Sequence, residues 1–308
     1  MDGERIGVLV MSYGTPKDMD DIERYYTHIR RGRRPSDAEL DDLRARYAAI
    51  GGTFPLRENT ARQVAQLTRA LDARTPGRYI VRQGLKHAEP FIEEAVDGFA
   101  QDGIRRFVGL VLAPHYSALS VGEYIARARE MSQKRGLESR FIEHYYDDPR
   151  LIAAFAERVQ EGLRGFPHEE RVKVLFSAHS LPARIREMGD PYEAQLMVTS
   201  ERVAQAVGTV DWRFVWQSAG GTREPWLGPD ILEVLPTLRA QGYTAVLVAP
   251  IGFVSEHLEI LYDLDIEAKR AGAAFGLDVR RIRMLDTDPR FIDLLRERVE
   301  RAAEATNA

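Results

Sequence analysis

The groups in this chain best suited to metal or proton chemistry are one histidine and a file of carboxylates. His179 stands in SAHS (177–180), just past the apolar run VKVLF. An imidazole there can ligate a metal, act as a general base or be hydrogen-bonded into the fold. Glu259, Asp263 and Glu267 recur at i, i+4 and i+8 in a segment (252–270) that predicts a helix capped by Ser255. Like charges at that spacing oppose each other by a few tenths of a kcal/mol, and by more away from water. Such a face favours a visiting cation, and hard oxygen donors leading to a histidine nitrogen suit a divalent ion such as Fe²⁺. The alternative is an exposed acidic stripe balanced by Lys269 and Arg270. His257 falls off this face and reads as a surface residue or a group supporting the site from behind. Tyr13, in MSYGTP (11–16), offers a phenol to a metal or a hydrogen bond, or a ring to the core. His87 and His115 follow strands and read as supporting groups.

The elements that position these residues repeat. VLVMSYGTP (8–16) is answered by VLFSAHSLP (174–182), RYIVRQGLKHAEP (78–90) by RFVWQSAGGTREP (213–225), and LVLAPHYSALSVGEY (110–124) by VLVAPIGFVSEHLEILY (246–262). Each is an apolar run ending in a polar loop, the pattern of a parallel strand whose carboxyl end faces a ligand. Strands are predicted near 5–12, 78–84, 106–113 and 139–144, and again near 171–178, 212–217, 243–251 and 278–284, with helices between. The fold class is therefore α/β: two similar Rossmann-like lobes, each a parallel sheet flanked by helices, with a ligand cleft between them. The first lobe is placed at 1–142 and the second at 143–285. A final amphipathic helix (286–308) is expected to pack back on the first lobe.

The halves differ in one insertion, roughly residues 20–57. It interleaves Arg24, Arg30, Arg31, Arg33, Arg34, Arg44 and Arg46 with Tyr25, Tyr26 and Tyr47. Aromatic faces beside guanidinium forks suit a flat apolar ligand that carries carboxylates or phosphates. The plainer reading is a solvated helical pair in which these cations meet Asp37, Glu39, Asp41 and Asp42.

Composition narrows the field. The 308 residues, 44% hydrophobic and 29% charged, carry a formal net charge of −4, which gives no global reason to expect nucleic acid. There is no cysteine, which excludes disulfides, thiolate zinc sites, cysteine nucleophiles and cysteine-ligated iron–sulfur clusters. No apolar stretch approaches the roughly 20 residues of a membrane span, and no secretory signal is evident, so a cytoplasmic location is expected. No G-x-G-x-x-G or G-x-x-x-x-G-K-[ST] frame supports a nucleotide, and GGT (220–222) lacks the required context.

Taken together, MSYGTP, DIERYYTHIRRGRRP, RYAAIGG, GLKHAEPFIE, LAPHYSALSV, SAHSLP, GDPY, WQSAGG, PWLGP and GFVSEHLEILYD resemble the ferrochelatases nearly end to end. The likeness is closest to the bacterial type that inserts iron into coproporphyrin III in haem biosynthesis. The resemblance implies a lyase of chelatase fold in which His179 and Glu259 are the inner metal residues, facing each other across the porphyrin. It places Tyr13 on the opposite side from the histidine, and Arg30, Arg46, Tyr47 and Tyr124 on the propionates. Asp263 and Glu267 match an acidic track that forms a secondary metal site in relatives, with Mg²⁺ a candidate occupant. Phe54 stands where relatives have a small hydroxyl residue, which implies either that Thr53 beside it supplies the hydrogen bond instead or that this propionate is held less specifically. Coproporphyrin III and Fe²⁺ are then substrates. No permanently bound cofactor or iron–sulfur cluster is expected, and a monomer would hand its product to the next haem-pathway enzyme. A neutral His179, with an ordinary pKa of about 6.5, is expected to take a pyrrole proton or hold iron. The competing readings are a protoporphyrin IX ferrochelatase, another divalent-metal tetrapyrrole chelatase, and a non-catalytic haem or porphyrin carrier.

Overall fold

The computed structural model describes residues 4–220 and 224–305. The last two residues of GGT, and residues 1–3 and 306–308 of the expected lobe bounds, lie outside the described residues. In chain order the elements are β1 (Ile6–Ser12), α1 (Ile22–Ile29), α2 (Asp37–Ala49), α3 (Pro55–Asp72), β2 (Tyr79–Leu85), α4 (Ile92–Gln101), β3 (Arg106–Val111), α5 (Val121–Arg135) and β4 (Glu138–Ile142). There follow α6 (Pro149–Arg164), β5 (Val172–His179), α7 (Tyr192–Val207), β6 (Trp212–Gln217), α8 (Ile231–Ala240), β7 (Ala245–Ala249) and α9 (Leu258–Leu261). A π-helix (Asp263–Ala268), α10 (Lys269–Ala274), β8 (Asp278–Arg281) and α11 (Pro289–Glu304) complete the described chain.

The strands form two four-stranded parallel sheets, β2-β1-β3-β4 and β6-β5-β7-β8, which share one order. All pairings are parallel, from Ile6 opposite Tyr79 in the first sheet to Val248 opposite Arg281 in the second. Every residue of β1 (IGVLVMS) and of β7 (AVLVA) is buried. Such unbroken apolar runs arise where helices cover both faces of a sheet, which also fixes the α/β class.

The chain divides into two compact units. One comprises residues up to Ala113, Ser120–His144 and the chain from Asp286; the other comprises Pro114–Leu119 and Tyr145–Leu285. The short Pro114–Leu119 segment, which the sequence placed in the first lobe, belongs to the second unit. Its anchors explain this: the Tyr116 amide donates to Gln195 (2.7 Å), the Ala118 amide and Ser117 hydroxyl donate to Asp190 (2.7 and 2.9 Å), and His115 Nε2 meets the Thr199 hydroxyl (2.9 Å).

A further echo links the units. α6 opens on Asp148-Pro149-Arg150 and α11 on Asp288-Pro289-Arg290, each aspartate accepting from the arginine amide (3.0 and 2.9 Å) as an N-cap ahead of a first-turn proline. α6 follows the last strand of the first sheet yet packs on β7 of the second. α11 follows the last strand of the second sheet yet packs on α3, β3 and β4 of the first.

The insertion is helical, as α1 and α2 with the start of α3. Ser36 and Glu39 close a capping box on α2, the Ser36 hydroxyl accepting from the Glu39 amide (3.3 Å) and the Glu39 carboxylate from the Ser36 amide (2.7 Å). Leu40 and Tyr47 turn one face of α2 into the core.

Candidate active site

In the second unit His179 ends β5. Its Nδ1 donates to the Ser180 carbonyl, and Ser180 is itself held by Gln217 O (2.8 Å) and Leu227 O (2.8 Å). Fixing Nδ1 in this way assigns the proton to that nitrogen and leaves Nε2 for chemistry. Nε2 lies 3.6 Å from Glu259 Oε1. The other oxygen of Glu259 lies 3.6 Å from His257 Nε2, and His257 Nδ1 donates to Ser255 O (2.9 Å). One carboxylate is thus flanked by two imidazoles of matching tautomer. The side chains of His179 and Glu259 stay 31% and 38% exposed, so a substrate can reach them.

Burial pushes the His179 imidazole down, but the Glu259 charge, the Ser180 carbonyl and Asp263 outweigh it, and the net shift is upward. Burial likewise pushes Glu259 up, and the two histidines reverse this to hold the carboxyl below its usual range. The resting pair is therefore imidazolium and carboxylate. The neutral form of His179 expected to take a pyrrole proton or iron is therefore favoured by higher pH, because the facing carboxylate stabilises the proton.

The expected start of the helix is corrected. The helix starts at Leu258, not after Ser255; His257 takes the N-cap position in extended backbone (φ −158°, ψ 179°), which swings its ring to Glu259. α9 then gives way to the π-helix at Asp263, where the Glu267 amide bonds Tyr262 O (3.0 Å), five residues back. Asp263 and Glu267 both lie in this wider turn, and their surroundings differ from those of Glu259. Glu259 meets the histidines and Asp263 accepts from the Ser218 hydroxyl, while burial and the like charges of Glu233 and Glu267 raise Asp230 at the α8 cap. Among the described residues no group of three or more His, Asp or Glu side chains is placed to hold a metal ion.

Residues the sequence did not single out fix this arrangement. Gln217 is fully buried, accepts from the Ser177 hydroxyl (2.8 Å) and donates to the Glu259 carbonyl (3.3 Å). Gly252 is required by close approach: a Cβ there would lie 2.5 Å from the Ala178 Cβ, displacing the loop that leads to His257.

In the first unit Tyr13 follows β1, 40% exposed, its ring 4.6 Å from that of His87. Gly14 has φ +88°, and the Tyr25 hydroxyl donates to its carbonyl (3.2 Å). Burial, with Lys86, His28 and Arg127 nearby, pushes His87 down to about 3. Lys86 lies over the rings of Tyr124 (5.0 Å) and Tyr13 (5.9 Å) and pairs with Glu123 (2.5 Å), drawing two of the expected residues around one cation. Arg30, at the end of α1, pairs with Glu39, and Arg46 with Asp42 (2.9 Å). Tyr47 is buried, its hydroxyl 3.0 Å from that of Thr15 and its ring stacked on Phe54 (4.5 Å). That stacking gives Phe54 a physical role, while the Thr53 hydroxyl donates to Ile50 O (3.2 Å) within its own turn. Tyr124 is 5% exposed, so it and Tyr47 present little hydroxyl surface, whereas Tyr13, Arg30, Arg46 and Thr53 reach solvent.

No helix among the described residues is long and apolar enough to cross a membrane. The chain is similar in fold to SirB from Bacillus subtilis with Fe³⁺ (TM-score 0.62, 14% identity, 97% of this chain and 96% of that one). It is similar likewise to CbiX, the terminal enzyme for siroheme biosynthesis in denitrifying bacteria (TM-score 0.52, 14% identity, 98% and 100%). At these identities the likeness establishes the chelatase fold alone. In sequence it is 46% identical over 295 residues to the coproporphyrin III ferrochelatase of Geobacillus thermodenitrificans, covering 94% of this chain and 93% of that one. It is 45% identical over 303 residues to that of Bacillus subtilis (96% and 97%), and 44% over 297 residues to the ferrochelatase of Herpetosiphon aurantiacus (95% and 97%). The family profile described as Ferrochelatase matches residues 5–303, and the chain belongs to the ferrochelatase family.

Proposed function

We propose that this chain inserts Fe²⁺ into free-base coproporphyrin III, exchanging two pyrrole N–H protons for one iron and releasing both protons. The names of the relatives from Geobacillus thermodenitrificans and Bacillus subtilis support the substrate. The observation that carries the chemistry is His179, whose Nδ1 is tied to a backbone carbonyl while Nε2 faces Glu259 at 3.6 Å. Either task, taking a pyrrole proton or holding incoming iron, falls to that nitrogen.

At rest Nε2 carries a proton stabilised by Glu259. It must lose that proton before it can accept another or bind iron, so raising the pH increases the competent fraction. Glu259 then serves as the second donor or base, with His257 holding its other oxygen. A planar ring keeps its nitrogen lone pairs in plane, and bending it outward costs about 1–5 kcal/mol, supplied by binding at remote groups. Arg30 and Arg46 are the guanidinium groups assigned to the substrate carboxylates. Each already has a carboxylate partner, so a propionate enters by exchange with Glu39 or Asp42.

The test is an anaerobic assay of Fe²⁺ insertion, read from the visible spectrum, with coproporphyrin III against protoporphyrin IX. Higher kcat/KM with coproporphyrin III is expected. A preference for protoporphyrin IX would overturn the substrate, and tight binding of metallated product without insertion would point to a carrier.

A further inference from the structure

We propose that Arg281 is a positioning residue for Glu259, acting by bracing both ends of the helical turn that carries it; this rests on the reading of Glu259 as part of the metal-insertion pair. Arg281 ends β8, and its guanidinium makes two bidentate pairs. Nη1 and Nη2 donate to Glu256 (2.9 and 2.9 Å), three residues before Glu259. Nε and Nη2 donate to Asp265 (2.8 and 2.7 Å), six residues after it. Nη1 also reaches Ile282 O (3.0 Å). The arginine side chain is 13% exposed and its partners 24% and 39%. Fork-to-fork geometry restrains angle as well as distance, which one ammonium cannot reproduce.

The geometry between the two braces gives the contact its consequence. Asp265 lies inside the π-helix, where one residue more than an α-helical turn is accommodated. If that turn relaxed to α-helix, the preceding residues would rotate by about 100° relative to those that follow, since an α-helix turns once in 3.6 residues. Glu259 lies directly before this segment. The Arg281–Asp265 pair holds the wide turn against the end of β8, and the Arg281–Glu256 pair holds the entry loop against the same point. Between them Glu259 is left one orientation, with its oxygens toward His179 and His257. The same residues, with Lys269, Arg280 and Arg283, line a surface depression of about 290 Å³. Water can therefore solvate Glu256 and Asp265 when the arginine is removed, which favours a folded variant.

Arg281→Gln and Arg281→Lys are compared with the parent chain and with Glu259→Gln. Competent sites are counted by titration with coproporphyrin III, and kcat and KM are measured per site. Loss of a direct outer partner of a metal-binding side chain costs about 10–100-fold, and Arg281, which reaches Glu259 only through its flanking residues, belongs at the lower end of that range. A fall of that size is expected in kcat for Arg281→Gln, with the porphyrin KM within about twofold of the parent chain and a smaller fall for Arg281→Lys. Should Arg281→Gln fail to fold, the split between kcat and KM in Arg281→Lys decides. Unchanged kcat per competent site, in whichever variant folds, overturns the bracing role while Glu259→Gln remains impaired. Full activity in Glu259→Gln overturns the underlying reading instead.

Discussion

Replacing Glu259 by glutamine removes the charge that holds the His179 proton and leaves the shape nearly intact. The groups lie 3.6 Å apart. At about 4 Å a unit pair is worth about 1 kcal/mol in water and about 4 kcal/mol at the effective dielectric of about 20 found near protein surfaces. With 31% and 38% of the two side chains exposed, the pair falls between these bounds. At 1.36 kcal/mol per unit, the His179 pKa should drop by about 1–3 units in Glu259→Gln. The sign follows from the direction of the shift. A folded-state pKa raised above about 6.5 stabilises the fold fully below that value, while Glu259 is ionised, and loses this as pH climbs through the folded-state pKa. The melting-temperature deficit of Glu259→Gln should therefore be largest in mildly acid solution, below about pH 6.5 while Glu259 is ionised, and shrink as the solution becomes alkaline. The assay is an NMR titration of the histidine ring resonances, with His179 assigned by comparison with His179→Ala. An unchanged midpoint in Glu259→Gln would refute the imidazolium–carboxylate pair.

Replacing both Arg30 and Arg46 by leucine should weaken coproporphyrin III, with four carboxylates, more than protoporphyrin IX, with two. A charge-assisted hydrogen bond contributes about 1.5–3 kcal/mol, so the loss for coproporphyrin III should be about 10–100-fold in Kd by fluorescence titration. Equal loss for both porphyrins would make these arginines scaffold for Glu39 and Asp42. Gln217→Leu strands the Ser177 hydroxyl and the Glu259 carbonyl in a buried setting, costing about 1–3 kcal/mol each. A lower melting temperature and lower kcat are expected, and retention of both would remove Gln217 from the site.

Strands were the most legible part of the sequence, because β1 and β7 are buried throughout and the buried centre of β5 is an apolar run. The helical insertion was legible from its length and its arginines. The pairing of those arginines with Glu39 and Asp42 matches the plainer reading of that segment as it stands without substrate. The π-helix that carries Asp263 and Glu267 was not legible, since i, i+4 spacing is compatible with either kind of turn. The N-cap position of His257 was not legible, since the sequence offers Ser255 as the cap and the helix begins at Leu258. Gln217 and Arg281 carried no local signal at all. Their partners lie 42, 25 and 16 residues away, and the contacts exist once the sheet has aligned its strand ends.

The most direct measurement is a single anaerobic turnover by His179→Ala already loaded with coproporphyrin III. If imidazole Nε2 is where the inner hydrogens leave or iron enters, bound porphyrin will keep its free-base spectrum after Fe²⁺ is added, while the parent chain converts it to the metallated form. Conversion at the parent rate in the variant would contradict that assignment.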